Sequence, residues 1–542
     1  MSPRPPRLVP VRELTSPRFG EVGRPYRVQR RDDGGLVALC SAFDRLYWPG
    51  RAIAARDLVT NRISLYTGDL ERRLATFDHA RFPINDVAFH PTASWLAIGT
   101  GSYDGGYQFE GELFLWNWET GEHQRLLAES REVVRCRFVD AGKLAVLLRP
   151  RDEEEYGASD PFATYVGGVL DDPSPVADTD APAGRPDPRL ADLQPIDPRS
   201  LGFDVPARWA DRRLSTGDQE LLRRVGFEER HRVWDVAWLG NDRVAAVHDC
   251  CQLEIWRLDG HREVHVRGEG HGVQVLRQAD RLLVHVLQPD TGAGGPPARS
   301  CLVELRDGSL VEWRAFPGVY LFSVDRHGRI LVRDARPDAS AARRDRVLDP
   351  SGAVVMEADL GGYDGSNHHL RLDGGRELYF LRGAPPAPYL AKRLCAIDEA
   401  LTVSDRGCWD GPGEQLVKSC AAFGPGDSIV RGYQVRLGSD ASTGMVDLYS
   451  LSRGQPVWRC EVGASITAVA ASSDARHVIV AQTDGHLGLI DASDGRLLHH
   501  EALAAHGVPT AATALALAGD ALLVGTIDGR LLLYALERAP TT

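Results

Sequence analysis

The 542-residue sequence predicts an all-β fold of short sheets stacked side by side. Three observations lead there. Short apolar runs recur along the chain, separated by Gly, Pro, Asp and Asn turns. The pattern repeats every roughly 40 to 50 residues, the length of a four-stranded unit. One such unit cannot bury both faces of its sheet alone, so similar units must flank it. The stretch from Ile84 to Gly121 is the clearest: Ile84, Val87 and Phe89 open one run, Leu96 to Ile98 a second, and Leu113, Leu115 and Trp116 a third. His90-Pro91 breaks the first pair and Thr120-Gly121 turns the chain after the third strand.

These residues carry a resemblance. Val87-Ala88-Phe89-His90-Pro91, then Leu96-Ala97-Ile98-Gly99, then Leu113-Phe114-Leu115-Trp116 resembles a WD40 repeat, in which three inner strands end in a Trp followed by an outer strand. Residues 232–259 repeat the theme as VWDVAW, RVAAVHD and LEIWRLD, and the two C-terminal units place Ile490 and Tyr534 where the Trp would stand. The resemblance implies a WD40-like β-propeller of four-stranded blades.

First-strand markers fall near Leu36, Ile84, Val133, Val233, Val273, Val319, His369, Leu416, Ile466 and Thr513. That makes about ten candidate units, in one large ring or two, since single rings usually hold four to eight blades. The last unit stops after its third strand, 531–536, so residues 1–33 are expected to supply the strand that completes it. Ring closure through the chain termini follows. Blades are expected over 34–148 and 231–542.

Between them lies an insertion, 149–230. Nine carboxylates and no basic residue occur from Asp152 to Asp180, and Pro recurs from Pro173 to Pro198, a composition poor in material for a core. Phe162, Thr164, Tyr165 and Val166 could supply a delayed third strand. Ser215 and Thr216 ahead of Asp218, Leu221, Leu222 and Val225 predict one short helix.

Composition narrows the function. A net charge of -12 disfavours a broad nucleic-acid surface. No segment approaches 18 consecutive apolar residues and the N-terminus lacks a secretory pattern, so a cytoplasmic protein away from membranes is expected. Nine cysteines without a C-x-x-C fit reduced thiols better than a disulfide framework. Only three of the 63 Lys and Arg residues are Lys, a bias that suggests a GC-rich bacterial genome.

The long connections are the best functional clue. Thr100–Gly111, the stretch from Arg149, Gln288–Ser300 and Arg436–Gly444 each join a second to a third strand, which would put them on one rim. Tyr103, Asp104, Tyr107, Phe109 and Glu110, with Glu153, Glu154, Glu155 and Tyr156, are the candidate partner-binding residues.

No P-loop, G-x-S-x-G, H-E-x-x-H or EF-hand pattern is present, and no catalytic residue, metal ligand or cofactor is assigned. His248-Asp249-Cys250-Cys251 could hold a soft metal, but packing in a turn explains it better. Neighbouring residues of a strand point to opposite faces, so neither His368-His369 nor His499-His500 suits one ion. Asp484-Gly485, Asp494-Gly495 and Asp528-Gly529 read as ordinary hairpin turns.

The sequence therefore points to a non-catalytic propeller that scaffolds or recognises a protein. The irregular units also resemble propeller subunits encoded beside MoxR-type AAA+ ATPases and von Willebrand A proteins, which implies such a protein as partner. The alternative is a lactonase-like propeller hydrolase with a divalent cation in its central channel. A quinone-cofactor dehydrogenase fits less well, since most such enzymes are exported.

Overall fold

The computed structural model describes residues 6–537 apart from 44–60, 104–108, 128–129, 151–163, 172–193, 205–213, 250, 279–280, 289–297, 335–343, 362–369, 371, 384–391, 410–413, 425, 437–441, 473 and 475. Among the described residues the protein is all-β, built from ten antiparallel sheets, nine of four strands and one of three, with two further two-stranded hairpins. In nine of the ten sheets, strands pair strictly in chain order. This is the outcome when each strand returns antiparallel beside the one before it, whether the connection is short or long.

The described residues form two compact units. The smaller, within Val22–Asp44 and Val59–Glu229, holds three sheets. Sheet I is Arg24–Arg30, Leu36–Ala42, Asn61–Thr67 and Arg73–Phe77; sheet II is Ile84–Phe89, Trp95–Thr100, Leu113–Asn117 and His123–Arg125; sheet III is Val133–Asp140, Lys143–Leu148, Val166–Asp171 and Gln194–Pro195. The marker at Leu36 thus falls on the second strand of sheet I. Its first strand, Arg24–Arg30, lies in the 1–33 segment expected to complete the last unit, and it pairs instead with Leu36–Ala42 to open sheet I. Helix α1, Thr216–Arg224, starts at Ser215, whose hydroxyl accepts from Asp218 N.

The larger unit, within Met1–Glu21 and Arg230–Thr542, holds seven sheets. Sheet IV is Val233–Trp238, Arg243–His248, Leu253–Arg257 and Arg262–Val266; sheet V is His271–Gln278, Arg281–Gln288, Arg299–Arg306 and Ser309–Pro317; sheet VI is Tyr320–Val324, Ile330–Asp334, Asp345–Leu348 and Val354–Ala358. Sheet VII has Leu378–Gly383, Lys392–Ile397 and Val403–Cys408; sheet VIII is Glu414–Phe423, Ser428–Arg436, Ser442–Ser450 and Gln455–Gly463; sheet IX is Ile466–Ala471, His477–Gln482, His486–Asp491 and Leu497–Ala502. Sheet X joins Ala512–Ala518, Ala521–Thr526 and Leu531–Glu537 to the N-terminal strand Arg7–Glu13. That strand is fastened by Leu14 N donating to Leu531 O at 2.8 Å and by Arg7 donating twice to Glu537 Oε2.

Within each unit, successive sheets share an apolar core. In the small unit one cluster joins I to II and another joins II to III. In the large unit clusters join IV to V, V to VI, VI to VII, VII to VIII, VIII to IX and IX to X. A seventh joins X back to IV through Leu523, Leu531, Val233 and Val236.

Polar groups set the spacing. In sheets I, II, IX and X the first strand skips one residue in its pairing with the second, freeing Tyr26, Asn85, Thr467 and Thr513. Each freed side chain bonds the first strand of the next sheet: Tyr26 Oη accepts from Ile84 N at 2.7 Å, and Asn85 Nδ2 donates to Val133 O at 3.1 Å. Thr467 Oγ1 donates to Ala512 O at 2.6 Å, and Thr513 Oγ1 to Val233 O at 2.7 Å. Residues just past the bulge do the same work. Asp86 and Asp235 accept from Cys136 N and Val275 N at 3.0 and 2.8 Å, and Gln274 Nε2 donates to Phe322 O at 3.0 Å.

Close approach also needs room. A Cβ on Gly99, Gly432 or Gly525 would collide with Val133, Ile466 or Val233 of the following sheet. Sheet VII lacks the equivalent first strand among its described residues, yet Asp373 and Gly374 lie against sheet VI: Asp373 Oδ1 accepts from Val324 N at 3.0 Å and Gly374 N donates to Val324 O at 2.8 Å.

Two substitutions test the junction between sheets X and IV. Thr513→Val strands the buried Val233 carbonyl and should cost about 1–3 kcal/mol. Gly525→Val should cost about as much by overpacking. Both are read as a lowered urea midpoint for the unfolding of the large unit.

Candidate functional site

Of the residues expected to meet a partner, Asp104, Tyr107, Glu153, Glu154, Glu155 and Tyr156 lie outside the described residues, and Tyr103 is described only by its backbone. Phe109 corrects the expectation of an exposed aromatic. Ser102–Tyr103 and Phe109–Glu110 form a hairpin that leaves the Phe109 ring 1% exposed. The Arg149 guanidinium lies 5.8 Å from that ring and 4.3 Å from Tyr165, so Phe109 belongs to the packing. Glu110 is half-buried.

All four long connections do join a second to a third strand, in sheets II, III, V and VIII. The 335–344 stretch of sheet VI has the same position. The sequence between 149 and 230 is not one insertion, because Val166–Asp171 is the third strand of sheet III, paired along its length with Lys143–Leu148.

Among the described residues, the closest grouping of Cys, His and carboxylate side chains lies in sheet IV. Glu254 and His265 are direct cross-strand partners on its third and fourth strands, and alternation puts Trp256 on the same face as Glu254. Trp256 Nε1 donates to Glu254 Oε2 at 2.9 Å and Arg262 Nη1 to Glu254 Oε1 at 3.0 Å. His265 Nε2 stands 3.8 Å from Oε1, and Arg267 Nε donates to that same ring nitrogen at 3.1 Å. Cys251, in the turn before the third strand, points Sγ at Val266 O, 3.1 Å away. One ligand atom each from Cys251, Glu254 and His265 falls within 4.8 Å of the others. Among the described residues no other trio of His, Cys, Asp or Glu does so.

His248 ends the second strand beside them. It is 3% exposed, with Nδ1 3.2 Å from His231 O and Nε2 3.4 Å from Glu254 Oε2. Burial pushes the Glu254 carboxyl up, but the His248 ring, the Trp256 indole and Arg262 together pull it well below the usual carboxylate range. Its neighbour Asp249 behaves in the opposite way: burial raises its pKa, against the Trp234 indole and the charges of His271, His231 and Arg232.

The turn motif read from sequence is therefore divided. Asp249 caps the Trp234 indole, Cys250 lies outside the described residues, and His248 and Cys251 approach Glu254 and His265. Sequence reasoning missed the latter two, although E254 and H265 sit on adjacent strands; only the register brings them opposite.

The remaining constellations are structural. His500 stacks on His486 with ring centroids 4.5 Å apart and bonds Gln482 Oε1 at 2.6 Å, while His499 turns toward Glu501. His368 and His369 lie outside the described residues. Asp484 and Asp494 accept backbone N–H groups of their own turns at 3.1 and 2.9 Å, and buried Asp528 pairs with Arg530. No helix among the described residues is long and apolar enough to cross a membrane.

The chain matches no protein-family model and no curated protein.

Asp249→Asn should raise the unfolding midpoint at pH 7. A carboxyl whose folded pKa is raised favours folding only while protonated, so wild type loses stability as pH climbs through and above the ordinary carboxylate range. The variant's advantage should shrink as pH falls back through that range, which thermal melts across pH 3 to 7 would reveal.

Proposed function

We propose that the chain is a non-catalytic, WD40-like β-propeller protein that acts as a scaffold or recognition subunit for another protein. In this reading the seven sheets of the large unit are blades, and the strand Arg7–Glu13 closes the ring. Seven lies within the usual range for one ring. What supports closure is the shared core and the Thr513 hydrogen bond between sheets X and IV.

The observation that carries recognition is the repeated position of the long connections. Within a unit of like-oriented sheets, connections between second and third strands emerge on one side. A rigid scaffold bearing variable connections on one side is suited to holding a partner. The acidic Glu153–Glu155 run and the aromatics Tyr103, Tyr107 and Tyr156 are the residues such a surface would use. The resemblance to propellers encoded beside AAA+ ATPases and von Willebrand A proteins names the partner class to look for first, in a bacterial cytoplasmic setting.

The test is affinity purification of the intact chain, followed by binding of the recovered partner to defined variants. Replacing Glu153, Glu154, Glu155 and Tyr156 by Ala should weaken binding at least about tenfold, as expected when contact residues are truncated, with an unchanged melting curve. Equal affinity for this variant and for Tyr103→Ala/Tyr107→Ala would remove the long connections as the recognition surface.

A further inference from the structure

We propose that Cys251, Glu254 and His265 of sheet IV form a binding site for a zinc-class divalent cation, with His248 as the buried donor beside them. Three observations converge. The first is position: three donor atoms from a turn and two strands gather within 4.8 Å. The second is chemistry. A thiol, an imidazole and one carboxylate suit a borderline-soft ion such as Zn²⁺ or Co²⁺, whereas Ca²⁺ and Mg²⁺ prefer oxygen donors alone.

The third is His248. A carbonyl oxygen only accepts, so the contact with His231 O occupies Nδ1 as a donor and turns Nε2 toward Glu254. That nitrogen is buried, has no hydrogen-bond partner, and faces a carboxylate oxygen 3.4 Å away. A cation seated between this nitrogen and the carboxylate would give the buried ring atom a partner.

The surroundings describe how binding would proceed. Trp256 fixes Glu254 through Oε2, the role of an outer partner that orients a ligand. Arg262 and Arg267 hold Glu254 Oε1 and His265 Nε2, so an entering ion must displace both guanidinium groups. Arg267 is exposed and Arg262 partly so, so neither guanidinium is locked in place by burial. Binding is thus a competition between the metal and the protein's own cations. The ligands sit on the third and fourth strands of the sheet and the turn that leads into them, away from the first strands that would line a central channel, so this site differs from a propeller hydrolase centre.

The experiment uses the full chain, reduced and freed of metal by a chelator, titrated with Co²⁺ alone. One equivalent should bind, with visible absorption bands and a near-ultraviolet thiolate-to-cobalt band, and Zn²⁺ should abolish both. Cys251→Ser should remove the thiolate band, and Glu254→Gln and His265→Ala should each weaken binding at least about tenfold. Arg267→Gln should strengthen it, because it frees the His265 nitrogen, and this gain of function stands even if Cys251→Ser fails to fold. No thiolate band in wild type, a band that survives Cys251→Ser, or affinity unchanged by Glu254→Gln, His265→Ala and Arg267→Gln would each overturn the site.

Discussion

The structure depends on one constraint: the first strand of a sheet must come within hydrogen-bonding reach of the first strand of the next. Apolar clusters supply most of the energy, at about 25 cal/mol per Å² of surface removed from water. They are tolerant of sliding. The bulged side chains are not, because Thr467, Thr513 and Asn85 each satisfy one particular buried carbonyl. A displaced neighbour would leave those carbonyls unpaired at about 1–3 kcal/mol each. Gly99, Gly432 and Gly525 are the complementary device, since they leave space for the incoming strand.

A second set of contacts acts the same way at higher stakes. Arg333, Arg431 and Arg530 are buried, paired with Asp345, Asp447 and Asp528. Each spends a remaining N–H on a carbonyl outside its own hairpin: Leu381, Trp409 and Ala505, at 2.7, 2.7 and 3.0 Å. A buried ion pair adds little net stability over an apolar pair of the same volume. Its geometry is demanding, however, and here that demand fixes which segments may lie side by side.

Much of this was legible in the sequence. Period, apolar alternation and turn residues located ten units, and the incomplete last unit implied the N-terminal strand. The failures have physical causes. Sheet I was entered one strand late because its Arg-rich first strand, with Tyr26 and Val28 between charged residues, lies in the 1–33 segment expected to complete the last unit. Phe109 was taken for a surface residue because composition cannot reveal that the Arg149 guanidinium lies over its ring. The Cys251, Glu254 and His265 grouping was half visible: the turn was noticed, but pairing Glu254 with His265 needs the bulge between Ile255 and Trp256, and bulges leave no reliable trace in sequence.

The N-terminal strand has a consequence for how the chain is made. Arg7 and Glu537 are 530 positions apart, so at about 5–20 residues per second a ribosome delivers one partner roughly half a minute to two minutes before the other. During that interval Arg7–Glu13 is an orphan ribbon able to template unwanted pairing with nascent chains. Its sequence, RLVPVRE, carries Pro10 and three charged residues, which blunt such adhesion. The segment that waits so long for its mate thereby carries its own brake on stray pairing.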